Sequence, residues 1–245
     1  MTLPLFLAAL ADPPPAAGSA IRLDGDEGRH AAVVRRIRAG EEILLADGAG
    51  RGVRCVTVAA DKQGLDLEVL EQLTAPAPAV RIVAVQGLAK GDRGELAVEM
   101  MTEVGVDEIR PWQAARSIVK WQGERGEKSR AKWQATAREA AKQSRRLRIP
   151  VVGETVSTKA LATVLAEADL ALVLHEDGAD SLASVTLPPA GSVVLVIGPE
   201  GGIGPDELAV LIEAGARVVT LGDGVLRTST AGVVAAGHLR LRVQA

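Results

Sequence analysis

The sequence predicts an α/β protein with two domains, a small β-rich one first and a larger one built on a parallel sheet. From residue 80 onward, strand-like apolar runs alternate with helical patterns. That order is typical of a parallel sheet covered by helices on both faces. Residues 1–73 instead hold short strand-like runs separated by Asp-Gly turns, which favours a small barrel. The 245 residues suit one large or two modest domains, and a 47% hydrophobic composition is ample for their cores.

Composition excludes several classes of protein. No apolar run approaches the roughly 20 residues that a membrane-spanning helix needs. The apolar residues 1–10 lack the basic leader and the cleavage site of a signal peptide. The single Cys55 excludes an internal disulfide and a cysteine-based metal cluster, and His30, His175 and His238 have no metal-ligand spacing. We therefore expect a cytoplasmic protein that binds no metal and enters no membrane.

The predicted first domain contains strands around one helix. Apolar residues at helical spacing predict a helix over residues 27–38 that ends at Gly40. Strands are predicted at residues 3–7, 42–46, 52–58 and 65–70. Five basic side chains crowd the helix: Arg29, His30, Arg35, Arg36 and Arg38. They either meet phosphate or are simply solvated.

Residues 74–79 are a linker by composition, because their prolines stiffen the chain and remove hydrogen-bond donors. A buried strand is predicted at residues 80–85, followed by a polar loop at 90–93. Leu96, Met100 and Val104 then predict the buried face of a helix that ends at Gly105. Later elements of the alternating pattern are a helix at residues 161–165 and a strand at 170–174.

Charge is distributed unevenly along the chain. The net charge is −3, but residues 116–148 hold eleven Lys and Arg against Glu124, Glu127 and Glu139 alone, a local charge of +8. Within that segment, apolar and small residues from Trp133 to Leu147 form one helical stripe, and the cations fall outside it. The segment predicts a polyanionic partner or, alternatively, a solvated helix face. With one Phe, three Trp and no Tyr, any RNA contact is expected to be with phosphates rather than by base stacking.

The strongest local signal is a glycine-rich loop at residues 198–204, between a buried strand and a helix. Glycines let the backbone approach a ligand without side-chain collision. Neither Gly-Lys-Ser/Thr nor a third spaced glycine follows, which excludes a phosphate loop and a dinucleotide fingerprint. A tight strand-to-helix turn is the alternative. Glu200 would repel phosphate but can accept hydrogen bonds from hydroxyls or pair with a cation.

A second strand, residues 217–221, ends in Gly222-Asp223-Gly224 and leads into a helix of small residues. Thr228 is predicted to cap that helix with its side-chain oxygen. Arg227 beside the glycine turn is well placed to bind an anion or a carboxylate. Ligands of open α/β sheets bind at the carboxyl ends of the strands, so the two loops predict one site.

These blocks together resemble the SPOUT methyltransferases, and within them the E family of small-subunit ribosomal RNA uridine-N3 methyltransferases. Residues 197–202, 221–222 and 226–231 carry the resemblance, which covers nearly the whole chain. Further matching blocks are residues 90–93, 102–106, 116–117 and 139–144, with residues 30 and 33–35 matching a PUA-like domain. Met100 stands where a lysine is expected, and Ser229 stands where a glutamate is commoner.

The resemblance implies a PUA-like RNA-binding β-barrel domain at residues 1–73, a linker at 74–79 and a SPOUT methyltransferase domain at 80–245. It implies that the SPOUT-type sheet carries helices on both faces and a deep trefoil knot in its last elements. It further implies an obligate homodimer that binds S-adenosylmethionine in the knot. The expected reaction is methylation of a uridine N3 in small-subunit (16S) ribosomal RNA, free or in the assembled subunit. Ribose 2′-O methylation, a tRNA target and a non-catalytic RNA-binding assembly factor are the alternatives.

The site residues follow from this resemblance together with the local chemistry. The expected catalytic residues are Arg227, which would stabilise developing negative charge, and Glu200, which could accept ribose hydroxyls or orient the uracil. The cofactor is expected to contact Leu174, His175, Ile197, Gly198, Pro199, Glu200, Gly201, Gly202, Leu221, Gly222, Val225, Leu226, Thr228 and Thr230. RNA is expected to contact Arg29, His30, Arg35, Arg36, Lys90, Arg93, Arg116, Arg138, Lys142 and Arg145.

Overall fold

The computed structural model describes residues 3–244. Backbone contacts group the chain into two units. The first unit runs to Ala77 and also includes Ala141–Ile149; the second comprises Pro78–Ala140 and the chain from Pro150 onward. The chain passes from one unit to the other near residues 77, 140 and 149, and the predicted linker at residues 74–79 contains only the first of these points. The other two were not predicted, because nothing in the sequence pattern sets residues 141–149 apart.

The first unit is built on a curled five-stranded sheet. Its strands are β1 Leu5–Leu7, β2 Ala20–Leu23, β3 Glu42–Ala46, β4 Arg51–Ala60 and β5 Leu65–Thr74. They lie in the order β1-β3-β4-β5-β2, and only β1 and β3 pair in parallel. Alternate residues of β5, such as Leu65 and Leu67, are buried while Asp66 is exposed. Two register shifts between β4 and β5 increase the local twist. The predicted β-rich domain is confirmed.

The helix predicted over residues 27–38 is shorter and less regular. An α-helix, α1 Gly25–Arg29, continues into one π-helical turn, His30–Val34. The backbone amide of Arg35 donates to the carbonyl of His30, 2.9 Å away, which widens the turn by one residue. Of the three apolar residues at helical spacing that predicted this helix, Ala31 and Ile37 reach the core, whereas Val34 is exposed.

Residues 141–149, which include the end of the long helix Gly123–Gln143, pack within the first unit. The amide of Gly50 donates to the carbonyl of Leu147, and the amide of Ile149 donates to the carbonyl of Gly48, both at 2.9 Å. Leu147 and Ile149 also pack against the small apolar cluster of Leu5, Leu7 and Ala46. The segment therefore forms part of the core of the first unit.

Cys55 lies fully buried in the core of the first unit, where burial raises the pKa of its thiol from 9.0 to about 11. The thiol should therefore resist Ellman's reagent at about pH 8 until the protein is unfolded. The folded state holds this proton more tightly than the unfolded state. The protonated thiol therefore contributes to the free energy of unfolding below about pH 9, and this contribution is lost as the pH rises toward 11. Denaturation midpoints measured at about pH 8 and 10.5 check this. Between these two pH values, the midpoint should fall less for Cys55→Ala than for the parent protein. Rapid labelling of the thiol in the native protein would contradict its assignment as a buried group.

The second unit is built on an eight-stranded sheet in which every recorded pairing is parallel. Its strands are β6 Val80–Gly87, β7 Glu108–Gln113, β8 Val151–Val152, β9 Val156–Ser157, β10 Leu170–Leu174, β11 Asp180–Ser181, β12 Gly191–Ile197 and β13 Arg217–Thr220. The order is β11-β13-β10-β12-β6-β7-β8, with β9 also paired to β7. Central β12 is buried from Val193 to Ile197 because it lies between β10 and β6. The predicted parallel α/β sheet is confirmed, while the trefoil knot stays a prediction.

Five helices accompany this sheet: α2 Arg93–Glu103, α3 Gly123–Gln143, α4 Thr158–Ala166, α5 Pro205–Glu213 and α6 Thr228–Gln244. On α3, Trp133, Ala137 and Ala140 are buried, as the predicted stripe requires. Trp121 packs edge-on against Trp133, with ring centroids 4.9 Å apart. Within residues 3–244, no helix combines the length and apolarity that crossing a bilayer demands.

The predicted buried face of α2 was wrong. Ala97, Val98 and Met101 are buried, whereas Leu96 is 44% exposed and Met100 is only partly covered. The helix carries two apolar stripes, and the stripe with the smaller residues packs inward because α2 lies close to α6. Gly232 of α6 leaves room there for the sulfur of Met101, which would lie 3.0 Å from a Cβ at that position.

Candidate active site

The carboxyl ends of three neighbouring parallel strands open into one cavity of about 730 Å³. β10 pairs with both β12 and β13, so the loops that follow these strands lie side by side. Residues 198–203 follow β12, and residues 221–228 lead from β13 into α6. Both segments line the cavity. This is the position at which open α/β sheets bind their ligands.

Thirteen of the residues predicted to contact a cofactor line this cavity. They are Leu174, His175, Ile197, Gly198, Pro199, Glu200, Gly201, Gly202, Leu221, Gly222, Val225, Leu226 and Thr228. Thr230 does not line it and lies half-buried in the first turn of α6. The cavity is also lined by residues that were not predicted to contact a cofactor, among them Leu208 and the acids Glu176, Asp177 and Asp223. Contact of these residues with a cofactor stays a prediction.

The glycine-rich loop is shaped by close backbone packing. Gly202 has φ +70°, and its amide donates to the carbonyl of Pro199 at 2.9 Å. At the end of β6, a Cβ on Gly87 would lie 2.5 Å from the backbone nitrogen of Pro199. A Cβ on Gly201 would lie 3.0 Å from the Cβ of Arg116. The loop is therefore packed against Gly87 on one side and Arg116 on the other. Gly201 both allows the close approach of Arg116 and lines the cavity.

A buried hydrogen-bond network joins the two loops. The side-chain amide of Gln86 donates to Thr228 Oγ1 at 2.8 Å, and this hydroxyl donates to the carbonyl of Gly198 at 2.6 Å. The prediction that Thr228 caps α6 was wrong, because the hydroxyl serves this network instead. The amides of Thr230 and Ala231 donate to the carbonyl of Arg227. Gln86 is fully buried and had no sequence signal, since it directly follows an apolar strand pattern.

Unpaired donors surround Arg227. Among residues 3–244, no hydrogen bond or ion pair is recorded for its guanidinium, which lines the cavity and is exposed. Over the same residues, the backbone amides from Gly222 to Leu226 donate no hydrogen bond. Backbone amides require partners when buried, so this loop offers several donors to a ligand that covers it. The arginine adds a planar, charged donor suited to a carboxylate or another delocalised anion.

Glu200 is bound to the loop that follows β6. Its Oε1 accepts a hydrogen bond from the amide of Lys90 at 3.0 Å and lies 3.6 Å from Nη1 of Arg93. The carboxylate thereby holds residues 90–93 beside the glycine-rich loop. Lys90 is exposed, and Arg93 lines the cavity. This arrangement suits a positioning role for Glu200, and one of its oxygens is already engaged.

His175 belongs to the turn after β10. Its Nδ1 accepts a hydrogen bond from the amide of Asp177 at 3.2 Å and lies 3.6 Å from the carboxylate of that residue. The amide of His175 donates to the carbonyl of Val219 on β13. The part of the chain that the structure describes contains no group of three or more His, Cys, Asp or Glu able to hold a metal.

The residues predicted to bind RNA differ in their availability. In the first unit, Arg29, His30, Arg35 and Arg36 are exposed, and within residues 3–244 no ion pair is recorded for these three arginines. Lys142 was also predicted to contact RNA, but its side chain is only 9% exposed and its ammonium pairs with Glu27 at 2.9 Å. Its burial depends on an acid far away in sequence, which no local pattern indicates.

The other basic residues of the 116–148 segment are also partly engaged. Arg145 is exposed, and its Nε donates to the carbonyl of Leu3 at 2.9 Å; Arg138 is exposed as well. Three further cations pair with nearby acids: Lys128 with Glu124, Arg130 with Glu127, and Lys132 with Glu95. Much of the basic face is thus a solvated, ion-paired surface. Arg116 is exposed at the cavity, and its Nη1 donates to the carbonyl of Gly201 at 3.2 Å.

Comparison with known proteins agrees with this geometry. The family described as RNA methyltransferase domain matches residues 76–240, and the one described as RNA methyltransferase PUA domain matches residues 23–70. The chain is 48% identical over 227 residues to the ribosomal RNA small subunit methyltransferase E of Mycobacterium bovis. The aligned region covers 91% of this chain and 87% of the relative.

Two solved structures have the same fold. A ribosomal RNA small subunit methyltransferase E from Neisseria gonorrhoeae, bound to S-adenosyl methionine, has a TM-score of 0.85 at 27% identity and covers 98% of each chain. A protein from Legionella pneumophila, in complex with the same cofactor, has a TM-score of 0.85 at 26% identity and covers 99% of this chain and 98% of the other. With the PUA match in the first unit and the parallel sheet in the second, the chain belongs to the ribosomal RNA small subunit methyltransferase E family.

Proposed function

We propose that this protein transfers a methyl group from S-adenosylmethionine to N3 of a uridine in small-subunit ribosomal RNA, in the cytoplasm. The observation that carries the proposal is the cavity at the ends of β10, β12 and β13, where unpaired amides of residues 222–226 adjoin the unpaired guanidinium of Arg227. Family membership supports both the methyl donor and the RNA class. The exposed arginines of the PUA-like unit support a polyanionic substrate.

The residues of the cavity fit the proposed cofactor. A volume of about 730 Å³ lies within the roughly 300–1,000 Å³ of small-molecule sites. Leu174, Ile197 and Leu208 provide apolar walls, and unpaired backbone groups can recognise the polar edge of an adenine. Carboxylates at the cavity, namely Glu176, Asp177 and Asp223, suit a ligand with cationic groups. When bound, the cofactor supplies an electrophilic methyl group on a sulfonium.

The chain's own residues have two tasks in this reaction. The first is alignment, for which the two loops are fixed by Thr228 and Gln86. The second is support of the uracil as N3 loses its proton, which leaves a negative charge shared with the ring oxygens. Arg227 can stabilise that charge because its fork of donors is planar and always charged. Glu200 holds Lys90 and Arg93 at the edge where the RNA backbone would lie.

Nucleoside mass spectrometry tests the proposal. Small subunits from cells with and without this protein, and unmodified subunits incubated with the purified protein and S-adenosylmethionine, would be digested and compared. We expect 3-methyluridine to depend on the protein. A ribose 2′-O-methyl product or a methylated tRNA would establish another activity. RNA binding without cofactor binding would establish an assembly factor.

The basic patch of the first unit is expected to make phosphate contacts. Changing Arg29, Arg35 and Arg36 together to Gln should reduce the slope of log affinity against log salt by about 2, since each contact contributes roughly 0.7 for single strands. The control variant carries Arg22→Gln and Arg54→Gln, two arginines that already form ion pairs with acids. Filter binding over a salt series measures both slopes. An unchanged slope in the triple variant would show that the patch is merely solvated.

We also propose that the protein is a homodimer formed through α2 and α6. These helices contact each other and present apolar side chains outward. Leu96 is 44% exposed, Val234 44% and Leu241 73%. Met100 lies on the same outward stripe of α2 as Leu96 and is partly covered. Large apolar side chains exposed on two neighbouring helices are typical of an interaction surface.

Charge placed on that surface should separate the two copies. We expect the double variant Val234→Glu and Leu241→Glu to be monomeric by light scattering, because two buried carboxylates would face an apolar partner. Ile212→Glu on α5 is the matched control, since this side chain is also exposed but lies on a different helix. A double variant with the mass of the parent dimer would locate the interface elsewhere.

A further inference from the structure

A buried carboxylate outside the predicted site lies in the first turn of α5. Glu207 is only 8% exposed. Its Oε1 accepts two hydrogen bonds, from the amide of Ala115 at 2.9 Å and from Thr158 Oγ1 at 2.5 Å. The indole nitrogen of Trp112 donates to the same threonine hydroxyl at 3.3 Å. The other oxygen, Oε2, is sealed from solvent and has no partner among residues 3–244.

The segment that Glu207 holds carries Arg116. Ala115 and Arg116 follow β7, and each of them is joined to the chain that follows β12. The amide of Ala115 donates to Glu207, while Nη1 of Arg116 donates to the carbonyl of Gly201. The guanidinium also extends over Gly204, where a Cβ would lie 3.6 Å from Nε of Arg116. Two adjacent residues are thus attached to the glycine-rich loop and to the first turn of the helix that follows it.

Stability alone gives no reason for a carboxylate at this position. Burying an ion is costly, and well-packed apolar residues often replace buried charged groups without loss. Glu207 additionally leaves one oxygen unsatisfied, which adds to the cost. Asp206 in the same helical turn is exposed and has no recorded partner within residues 3–244. The helix dipole would be served by Asp206 alone.

We propose that Glu207 is a positioning residue that fixes Arg116 at the edge of the cavity to bind a phosphate of the RNA substrate. This inference rests on the proposed function. Arg116 lines the cavity, is exposed, and directs its guanidinium along residues 201–204. The backbone just before Arg116 is fixed because the amide of Ala115 donates to Glu207. The position of the cation therefore depends on the carboxylate of Glu207. The role of Glu207 is therefore exerted through Arg116 and not on the reacting atoms.

Hydrogen exchange provides a readout that does not depend on activity. Glu207→Ala removes the acceptor of the Ala115 amide, so the peptide spanning residues 113–121 should exchange faster. Glu207→Gln keeps a carbonyl acceptor and should restore the protection. Asp206→Ala is the matched control and should leave this peptide unchanged. Unaltered exchange in Glu207→Ala would overturn the proposed positioning role.

A double-variant cycle with Arg116→Ala tests the consequence for RNA. We expect Glu207→Ala and Arg116→Ala each to weaken small-subunit RNA binding about tenfold, and the double variant to stay within twofold of Arg116→Ala alone. Glu207→Gln should bind within about threefold of the parent. Independent effects, about a hundredfold in the double variant, would overturn the proposal. All variants are measured well below their unfolding temperatures.

The same cycle separates failure of this inference from failure of the proposed function. If the parent protein makes no 3-methyluridine but the exchange and binding cycle behave as expected, the proposed reaction is wrong and the link between Glu207 and Arg116 stands. If the parent methylates uridine N3 and the binding effects add independently, the reaction stands and the link is wrong. In the methylation assay, Glu207→Ala should raise KM for RNA while kcat at saturating RNA stays within threefold of the parent.

Discussion

Arg227→Ala is expected to lower kcat about a hundredfold or more, the loss typical of removing one donor that stabilises a developing oxyanion. The guanidinium forms no ion pair or hydrogen bond within residues 3–244, so its removal breaks no polar contact there. It cannot act as a base, because an arginine stays protonated at working pH. Single-turnover methylation of small subunits, with both substrates saturating, measures the chemical step.

Two further variants distinguish the possible roles of Arg227. Arg227→Lys should recover little activity if the planar fork matters, since an ammonium is a point charge. Arg217→Ala removes another exposed arginine, which pairs with Asp180 away from the cavity, and should keep the parent rate. A single-turnover rate for Arg227→Ala within threefold of the parent, about 0.65 kcal/mol, would make Arg227 a binding or structural residue. A raised KM with kcat intact would lead to the same conclusion.

Gly87→Ala is expected to weaken S-adenosylmethionine binding by roughly tenfold to a hundredfold. The new methyl group would lie 2.5 Å from the nitrogen of Pro199 and 2.9 Å from the carbonyl carbon of Gly198. Both are backbone atoms of the glycine-rich loop, so the loop must move. Overpacking of this kind costs about 1–3 kcal/mol, and each 1.4 kcal/mol is tenfold in affinity.

Calorimetry on the folded variant measures this effect. Gly237→Ala on α6 is the control, because its methyl group would meet only Cγ1 of Val104 at an ordinary 3.9 Å. The control should bind the cofactor like the parent. Unchanged affinity in Gly87→Ala would show that the contact between β6 and the loop does not shape the cofactor site.

Local patterns were sufficient to predict the strand, loop and helix units that wall the cavity, but not the short strands β8, β9 and β11 or the strand β7. Each glycine-rich loop follows an apolar run of strand length, and each leads into a helix, so both sides of the cavity were predictable. The order of the strands was not predicted. That β10 lies between β12 and β13 depends on pairing between distant segments, for which the sequence pattern has no periodicity.

Side chains whose role depends on a distant partner could not be assigned from the sequence. Gln86 extends an apolar strand, and only its bond to Thr228 shows that it is part of the site. Lys142 has the spacing of an exposed helical cation but is buried against Glu27. On α2, one apolar stripe begins at Leu96 and another begins at Ala97. The stripe that begins at the smaller Ala97 is buried because α2 packs closely against α6. In each case the deciding contact is long-range.

The bond between Gln86 and Thr228 also has a consequence for the order in which the protein matures. It joins the first strand of the second unit to its last helix, across 142 residues of chain. Contacts between residues so far apart form slowly, because a long loop must close before they stabilise anything. A nascent chain emerges from its N-terminus, so α6 leaves the ribosome after the other described elements of the second unit. Until α6 has emerged, the first strand of the sheet lacks the partner of Gln86, and the cavity lacks the wall that Thr228 provides.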